Sequence, residues 1–359
     1  MKIIYLMEWE LKEEDGVIKK VLNQINKWKE LGNDVKLIIL SKCDNNIKFD
    51  NTDITIIKKN RLNIFMNNPL IKIITTYNPD VIYFRYSAYK PYLNKILKTY
   101  PVIIELNTNI KGELNINKSF KNRLKYFYII YTNKYLLNNV AGIVSVTYEI
   151  INTLAFKKRT IVLPNSIKML NENDKNNNKN KNELPSLIFI GTPNQKWQGT
   201  DKIIELAKKT EGILTFNVIG EEKPSIEITK NIKFHGFLNK IQYDNIVKKS
   251  NIGIGTLSLH EKNMEEACPL KVREYLSYGL PIIIGYEDTA FIHEEKEWIL
   301  KVGNTEKNVV DNINKIIEFS IKNKDLVLKN QEVEEYIDVE VIEKKRLSFF
   351  KEFLNNEIN

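Results

Sequence analysis

Residues 3–40 open with Ile3-Ile4-Tyr5-Leu6-Met7 and continue through a stretch in which Val17, Val21, Ile25 and Trp28 recur at helical spacing. They then stop at Gly32-Asn33 and resume as Val35-Lys36-Leu37-Ile38-Ile39-Leu40. Short apolar runs bounded by polar residues read as buried strands. The apolar positions between them fall on one face of a helix, and Gly32-Asn33 supplies its stop signal. Strand, helix, strand in this order argues for a parallel sheet covered by helices on both faces.

The same pattern repeats outward along the chain. Val81–Phe84, Val102–Leu106 and Gly142–Val146 read as further buried strands. Residues 171–182 then hold seven Asn among twelve residues and no apolar side chain, so they cannot bury surface to offset their chain entropy. Beyond them the alternation restarts. Leu187–Ile190, Ile213–Ile219, Ile232–His235, Ile252–Gly255 and Pro281–Gly285 are expected strands. Thr200–Lys209, Gln242–Lys249, Leu270–Tyr278, Glu306–Ile321 and Val341–Leu354 are expected helices. The fold class is therefore α/β, with two doubly wound domains: residues 1–168, a polar linker at 169–184, residues 185–340, and a C-terminal helix over 341–359 packing back toward the first domain. In open α/β sheets ligands bind at the carboxyl ends of the strands, so two such domains facing a central cleft would suit a two-substrate reaction.

Composition narrows the function. The chain has 359 residues, 43% of them hydrophobic, and no run of 18 uncharged apolar residues, so a membrane-spanning helix is not expected. The segment from Met1 to Glu8 is too short and too soon acidic for a secretory signal. Cys43 and Cys268 are the only cysteines, so no disulfide framework is expected and a cytoplasmic setting is the default. The three histidines are too few for a dedicated zinc site to be expected, and His293 lacks the second histidine of a zincin motif. The net charge of +9 is uneven: residues 1–170 hold 27 basic and 14 acidic side chains (+13), residues 171–359 hold 27 and 31 (−4). A basic half of this kind suits an anionic partner.

The stretch richest in chemistry is Glu265-Glu266-Ala267-Cys268-Pro269-Leu270-Lys271-Val272-Arg273-Glu274-Tyr275-Leu276-Ser277-Tyr278-Gly279-Leu280-Pro281-Ile282-Ile283-Ile284. Pro269 suits the first position of a helix that Gly279 ends. The free N–H groups near Cys268, Leu270 and Lys271 then point out of the helix N-terminus, a ready anion site to which Lys271 adds a charge. Glu266 and Glu274 flank that site, suited to the hydroxyls of a sugar nucleotide.

Here the chain resembles the retaining glycosyltransferases of family 4, which have the GT-B architecture of two Rossmann-like domains. The shared feature is a Glu, seven residues, a second Glu, then Gly-x-Pro and an apolar strand. Glu266, Glu274 and Gly279-Leu280-Pro281-Ile282-Ile283 fit it. Asp15-Gly16-Val17 resembles the family's first glycine loop, and Leu163-Pro164-Asn165-Ser166 its Pro-Asn-Gly segment. The stretch Gly191 to Gly199 is similar to its diphosphate-gripping loop, and Phe234-His235-Gly236-Phe237 to the loop facing the nucleotide base.

The resemblance implies that Glu274 binds the ribose, Glu266 contacts the transferred sugar, and the amides at Cys268, Leu270 and Lys271 meet the donor, with Gly16, Lys196, Gly236 and Phe237 also on the donor side. Lys271 and Glu266 would serve the reaction itself, and Glu105 and Asn107 the acceptor side. The sequence departs from the pattern at Thr192 and Pro193, where the family has Arg, at Gln198, where it has Lys, and after Leu106, where its histidine is missing.

The resulting expectation is a metal-independent hexosyl- or N-acetylhexosaminyltransferase, with no cofactor, moving a sugar from a nucleotide-sugar donor to a glycan or lipid-linked glycan in bacterial surface polysaccharide or lipopolysaccharide synthesis. A sugar-nucleotide epimerase on the same fold, or a non-catalytic sugar-nucleotide or membrane-binding homologue, are the alternatives. No Asp-x-Asp triplet, Walker loop or Gly-x-Gly-x-x-Gly occurs. Residues 118–131 interleave Lys118, Lys121, Arg123 and Lys125 with aromatics, as a helix lying on an anionic membrane surface requires, or as one packing its aromatic face on its own sheet would. Peripheral attachment to the inner face of the cytoplasmic membrane is the expected setting if the first holds, and nucleic acid is not an expected partner.

Overall fold

The computed structural model describes residues 1–11, 15–42, 53–59, 68–108, 120–154, 158–175 and 183–354, with backbone alone over 120–126. Cys43 and most of the Asn-rich stretch lie outside these. The chain divides into two compact units: Met1–Leu163 with Val339–Asn359, and Pro164–Asp338.

The first unit is built on β1 (Lys2–Glu8), β2 (Asp34–Ser41), β3 (Ile54–Lys58), β4 (Val81–Arg85), β5 (Val102–Leu106), β6 (Gly142–Ser145) and β7 (Thr160–Val162). They form one parallel sheet in the order β3-β2-β1-β4-β5-β6-β7. Ile3 to Met7 are wholly buried, which is why β1 reads as an unbroken apolar run: it has helices on both faces. Asp15 caps the helix Gly16–Glu30 by accepting from the Val17 and Ile18 amides at 2.8 and 3.3 Å. That helix buries Val21, Ile25 and Trp28, and the left-handed Gly32 (φ +81°) ends its turn.

The last helix, Val339–Lys351, belongs to this unit and packs on the first. Phe350 meets Trp28 edge-on at 5.4 Å and Tyr83 at 5.1 Å. Buried Glu343 accepts from the Trp28 indole (2.8 Å), Gln24 (3.0 Å) and Arg346 (2.7 Å), so no charge in this contact is left unpaired.

The second unit repeats the plan with β8 (Ser186–Ile190), β9 (Thr215–Ile219), β10 (Ile232–Phe234), β11 (Ile252–Ile254), β12 (Glu266–Ala267), β13 (Ile282–Ile284), β14 (Glu287–Asp288) and β15 (Ile299–Lys301). Six of them make a parallel sheet, β10-β9-β8-β11-β13-β15, while β12 and β14 pair separately. In each large sheet the order reverses beside the unit's first strand, the switch point at which open α/β sheets take ligands.

Two features differ from the expectation. The chain passes between units at Leu163/Pro164 and Asp338/Val339, not within the polar stretch. Residues from Pro164 onward already bind the second unit: Ile167 bridges to Asp338, Asn330 Nδ2 donates to the Leu170 carbonyl (2.9 Å), and Lys175 Nζ to that of Leu328 (2.8 Å). The helix expected over 306–321 is two, Asn308–Asp311 and Ile313–Lys322. At the break the Asn312 amide donates to the Val302 and Asn308 carbonyls, a local side-chain competition with the helix.

The docking of the last helix is directly testable. Phe350→Ala should destabilise the first unit by about 3–5 kcal/mol in urea unfolding. Substitution of partly exposed Glu352 by alanine should stay within about 0.5 kcal/mol.

Candidate functional site

The site grows from the carboxyl end of β8. Ile190 donates its amide to the Tyr275 hydroxyl (2.8 Å) and accepts from Lys271 Nζ at its carbonyl (3.0 Å). Both partners lie on the helix Leu270–Ser277, four residues apart and therefore one above the other. Lys271 is further held by Gln198 Oε1 at 3.4 Å and lies over the Phe189 ring at 3.9 Å. Among the described residues no carboxylate pairs with it. Burial pushes its pKa down to about 7, with the Glu221 charge acting in the opposite direction. The result is a cation, lacking a counter-ion, at the head of the central strand.

The loops around it are packed at backbone level. Gly220 follows β9 with φ +84°, and a Cβ there would lie 2.4 Å from the Gly191 carbonyl oxygen. A Cβ on Gly191 would lie 2.2 Å from Glu221 Oε1, itself bonded to Thr200 Oγ1 at 2.6 Å. The ends of β8, β9 and β10 close together through Gly191 N to the Ile219 carbonyl and Gly220 N to the Gly236 carbonyl.

Pro269 is the N-cap of the site helix, one position earlier than its expected place as first helical residue, and makes no side-chain capping bond. The first amides of the helix therefore open outward without a cap, as an anion site requires. Just before it, Glu266 sits partly exposed in β12, paired with Glu287 in β14. Cys268 is buried, its sulfur accepting from the Asn165 amide (2.9 Å) and Arg273 (3.0 Å). Glu274 stands one turn beyond Lys271 and accepts from the Tyr243 hydroxyl at 3.0 Å. Phe237, after left-handed Gly236, is 76% exposed. His235 bonds Asn217 at 2.8 Å, and burial lowers its pKa, favouring the neutral ring.

Leu270, Lys271 and Glu274 share the first turns of one helix, and Glu266 lies in the strand just before it. Lys196 is not gathered with them. It is exposed and lines an adjoining pocket of about 620 Å³ with Asp201, Glu205, Glu221, His260 and Glu306. Five carboxylates against two lysines give that lining a net negative balance. Among the described residues no group of three or more His, Cys, Asp or Glu is arranged to hold a metal ion.

In the first unit Gly16 begins its helix behind Asp15, whose other oxygen accepts from the Trp9 indole at 2.8 Å. Glu105 is wholly buried and takes bonds from Tyr5 (2.9 Å), Lys20 (2.9 Å) and Arg85 (3.2 Å). Burial would raise its pKa, but Lys20 and Arg85 outweigh that and hold it well below the usual carboxylate range. Its side chain is closed off from solvent, and what it fixes are the two cations that bond it. Asn107 accepts from Lys20 at 3.3 Å, while its Nδ2 is buried with no partner among the described residues. Sequence reasoning missed Lys20, Arg85, Tyr243 and Tyr275. A lysine on a helix reads as solvent-facing, and nothing in the spacing marks Lys20 as the buried exception.

No protein-family model matches the chain, and no curated protein matches it in sequence. Solved structures do match its fold. Sucrose-phosphate synthase from Thermosynechococcus elongatus aligns at 12% identity over 99% of this chain and 100% of that one, with a TM-score of 0.72. A glycosyltransferase from Rickettsia africae aligns at 18% identity over 99% of both chains, TM-score 0.68. Anabaena HepE, solved in complex with UDP and glucose, aligns at 12% identity over 98% of this chain and 100% of that one, TM-score 0.64. The fold of this chain is GT-B.

Proposed function

We propose that this protein is a glycosyltransferase that moves a sugar from a nucleotide-sugar donor to a glycan or lipid-linked glycan with retention of anomeric configuration. The observation that carries this reading is Lys271: an ammonium without a carboxylate partner, set beside uncapped helix amides, with a glutamate on either side. Glu274 takes the ribose, Lys271 and the helix amides take the diphosphate, and Glu266 takes the transferred sugar. The bond from the sugar C1 to the donor phosphate oxygen breaks as the acceptor oxygen bonds C1 on the same face. The acceptor's proton passes to the departing phosphate oxygen, and a nucleoside diphosphate leaves. Catalysis is then stabilisation of leaving-group charge by Lys271 and the amides, which calls for neither a strong base nor a metal. A hexose or N-acetylhexosamine is the proposed sugar, and Asn107 with Lys20 serves the acceptor in the first unit.

A second reading, donor binding without turnover, is favoured by one observation. Gln198 presents a neutral oxygen to Lys271, adding no second charge beside it. Nucleotide release in the presence of acceptor separates the two.

Attachment to an anionic membrane surface is also proposed, from the helix Phe120–Asn139. Ile129, Leu136 and Leu137 face inward, while Phe127 and Tyr131, one turn apart, are 67% and 83% exposed. Apolar rings on the outer face next to a basic sequence suit the boundary of an anionic bilayer, in the cytoplasm where surface-glycan precursors are assembled. No helix among the described residues is long and apolar enough to cross a membrane.

Three measurements check these readings. In a thermal-shift screen with EDTA, one nucleotide-sugar among UDP, GDP, ADP, TDP and CMP forms should stabilise the protein by about 2.7 kcal/mol at a hundred times its Kd. Glu274→Ala should abolish that shift while leaving the unliganded unfolding temperature within a few degrees. The affinity of the responding ligand should fall as pH rises above about 7, by up to about tenfold per unit. Lys271 loses its proton there in the empty site and must regain it to meet the phosphates. Calorimetry should register proton uptake at pH 8.5, and Lys271→Met should flatten the profile. Finally, Phe127→Ser/Tyr131→Ser should lower binding to phosphatidylglycerol vesicles several-fold, with neutral phosphatidylcholine vesicles binding neither form.

A further inference from the structure

Arg273 lies between Lys271 and Glu274 in sequence but points away from both. It is wholly buried. Its guanidinium donates from Nε to the Asn165 carbonyl (3.2 Å) and from Nη2 to Cys268 Sγ (3.0 Å), and it forms a buried ion pair with Asp288. Asp288 in turn accepts from the Ala290 amide (3.0 Å) and the Tyr286 hydroxyl (3.4 Å). Asn165 completes the cluster from the other side, donating its amide to Cys268 Sγ (2.9 Å) and its side-chain NH2 to the Cys268 carbonyl.

Cys268, the residue before the helix cap, is therefore held at both its sulfur and its carbonyl. The strand leading into it is held too: Glu266 and Ala267 pair with Glu287 and Asp288, Glu287 N donates to the Glu265 carbonyl (2.9 Å), and Asn304 to the Met264 carbonyl (2.8 Å). Asp288 thus lies at once in the strand paired with β12 and in the ion pair with Arg273.

A buried ion pair is weak support for stability, since desolvation offsets most of its attraction. Arg273 also leaves Nη1 without a partner among the described residues. What the arrangement supplies is geometry: a planar donor set that fixes three acceptors at once. We infer that Arg273, with Asp288 and Asn165, is a positioning device that sets the path of residues 264–271, and so the placement of Glu266 and the helix-entrance amides against the donor's sugar and phosphate. The inference rests on the donor-site reading for what is positioned, but not for the clamp itself.

The test pairs one readout independent of ligand with one that depends on it. Arg273→Met/Asp288→Leu removes both charges together and avoids a buried unpaired ion. Arg273→Lys keeps the charge but cannot reach Asn165 and Cys268 at once, and serves if the double variant fails to fold. Amide hydrogen exchange should quicken at least tenfold across 264–271 in either variant while β8 keeps its protection. Affinity for the nucleotide-sugar should fall at least tenfold, and that for the nucleoside monophosphate of the same base by less than threefold. Unchanged exchange at 264–271 would overturn the clamp. A parallel loss of both affinities together with lowered unfolding temperature would reduce Arg273 to a structural role. If the unmodified protein binds no nucleotide, the donor reading fails while exchange still decides the clamp.

Discussion

Lys271 sets the terms for the second unit. Its ammonium bonds the carbonyl of Ile190, the last residue of the central strand, and among the described residues no carboxylate forms an ion pair with it, Glu221 acting only from a distance. Keeping a cation there requires a helix that begins at that level, a strand that ends there, and neighbouring loops close enough to exclude water. The glycines at 191 and 220 let those loops touch, and Tyr275 ties the same strand end from the next turn of the helix. An approaching phosphate would find a charge lowered by burial and restored by its own arrival.

The first unit handles charge differently. Glu105 meets Lys20 and Arg85 in burial, and Glu343 meets Arg346 on the buried face of the closing helix. In both cases the ions are paired and hydrogen-bonded, so the sheet edge is organised before any ligand arrives. Arg85 also lies 5.4 Å from the Trp9 ring, whose indole binds the cap of the first helix. The strand ends and the helix entrance of this unit are thereby one connected network.

Much of this was legible in the amino-acid order. Buried central strands such as β1 and β5 read as apolar runs because both faces are covered. The site helix read clearly because Pro269 and Gly279 bracket it, with Gly279 in the left-handed conformation (φ +76°). The short strands β3, β7 and β15 were missed: each lies at a sheet edge, where one side is unpaired and the pattern weakens. Lys20, Arg85, Arg273 and Asp288 were illegible as partners, since a buried charge is recognisable only once its counter-charge is known, and Lys20 and Glu105 stand 85 residues apart. Lys196 illustrates the reverse, a charge that the family resemblance brings near the phosphates and the fold sets in a pocket with five carboxylates.

Lys271, buried without a direct carboxylate partner among the described residues, is the proposed seat of a donor diphosphate. A crystal structure of the protein soaked with the nucleoside diphosphate of its responding base addresses it most directly. The expected result is a phosphate oxygen within about 3 Å of Lys271 Nζ and ribose hydroxyls on Glu274. A nucleotide bound elsewhere, with Lys271 still turned to Gln198 and Ile190, would contradict it.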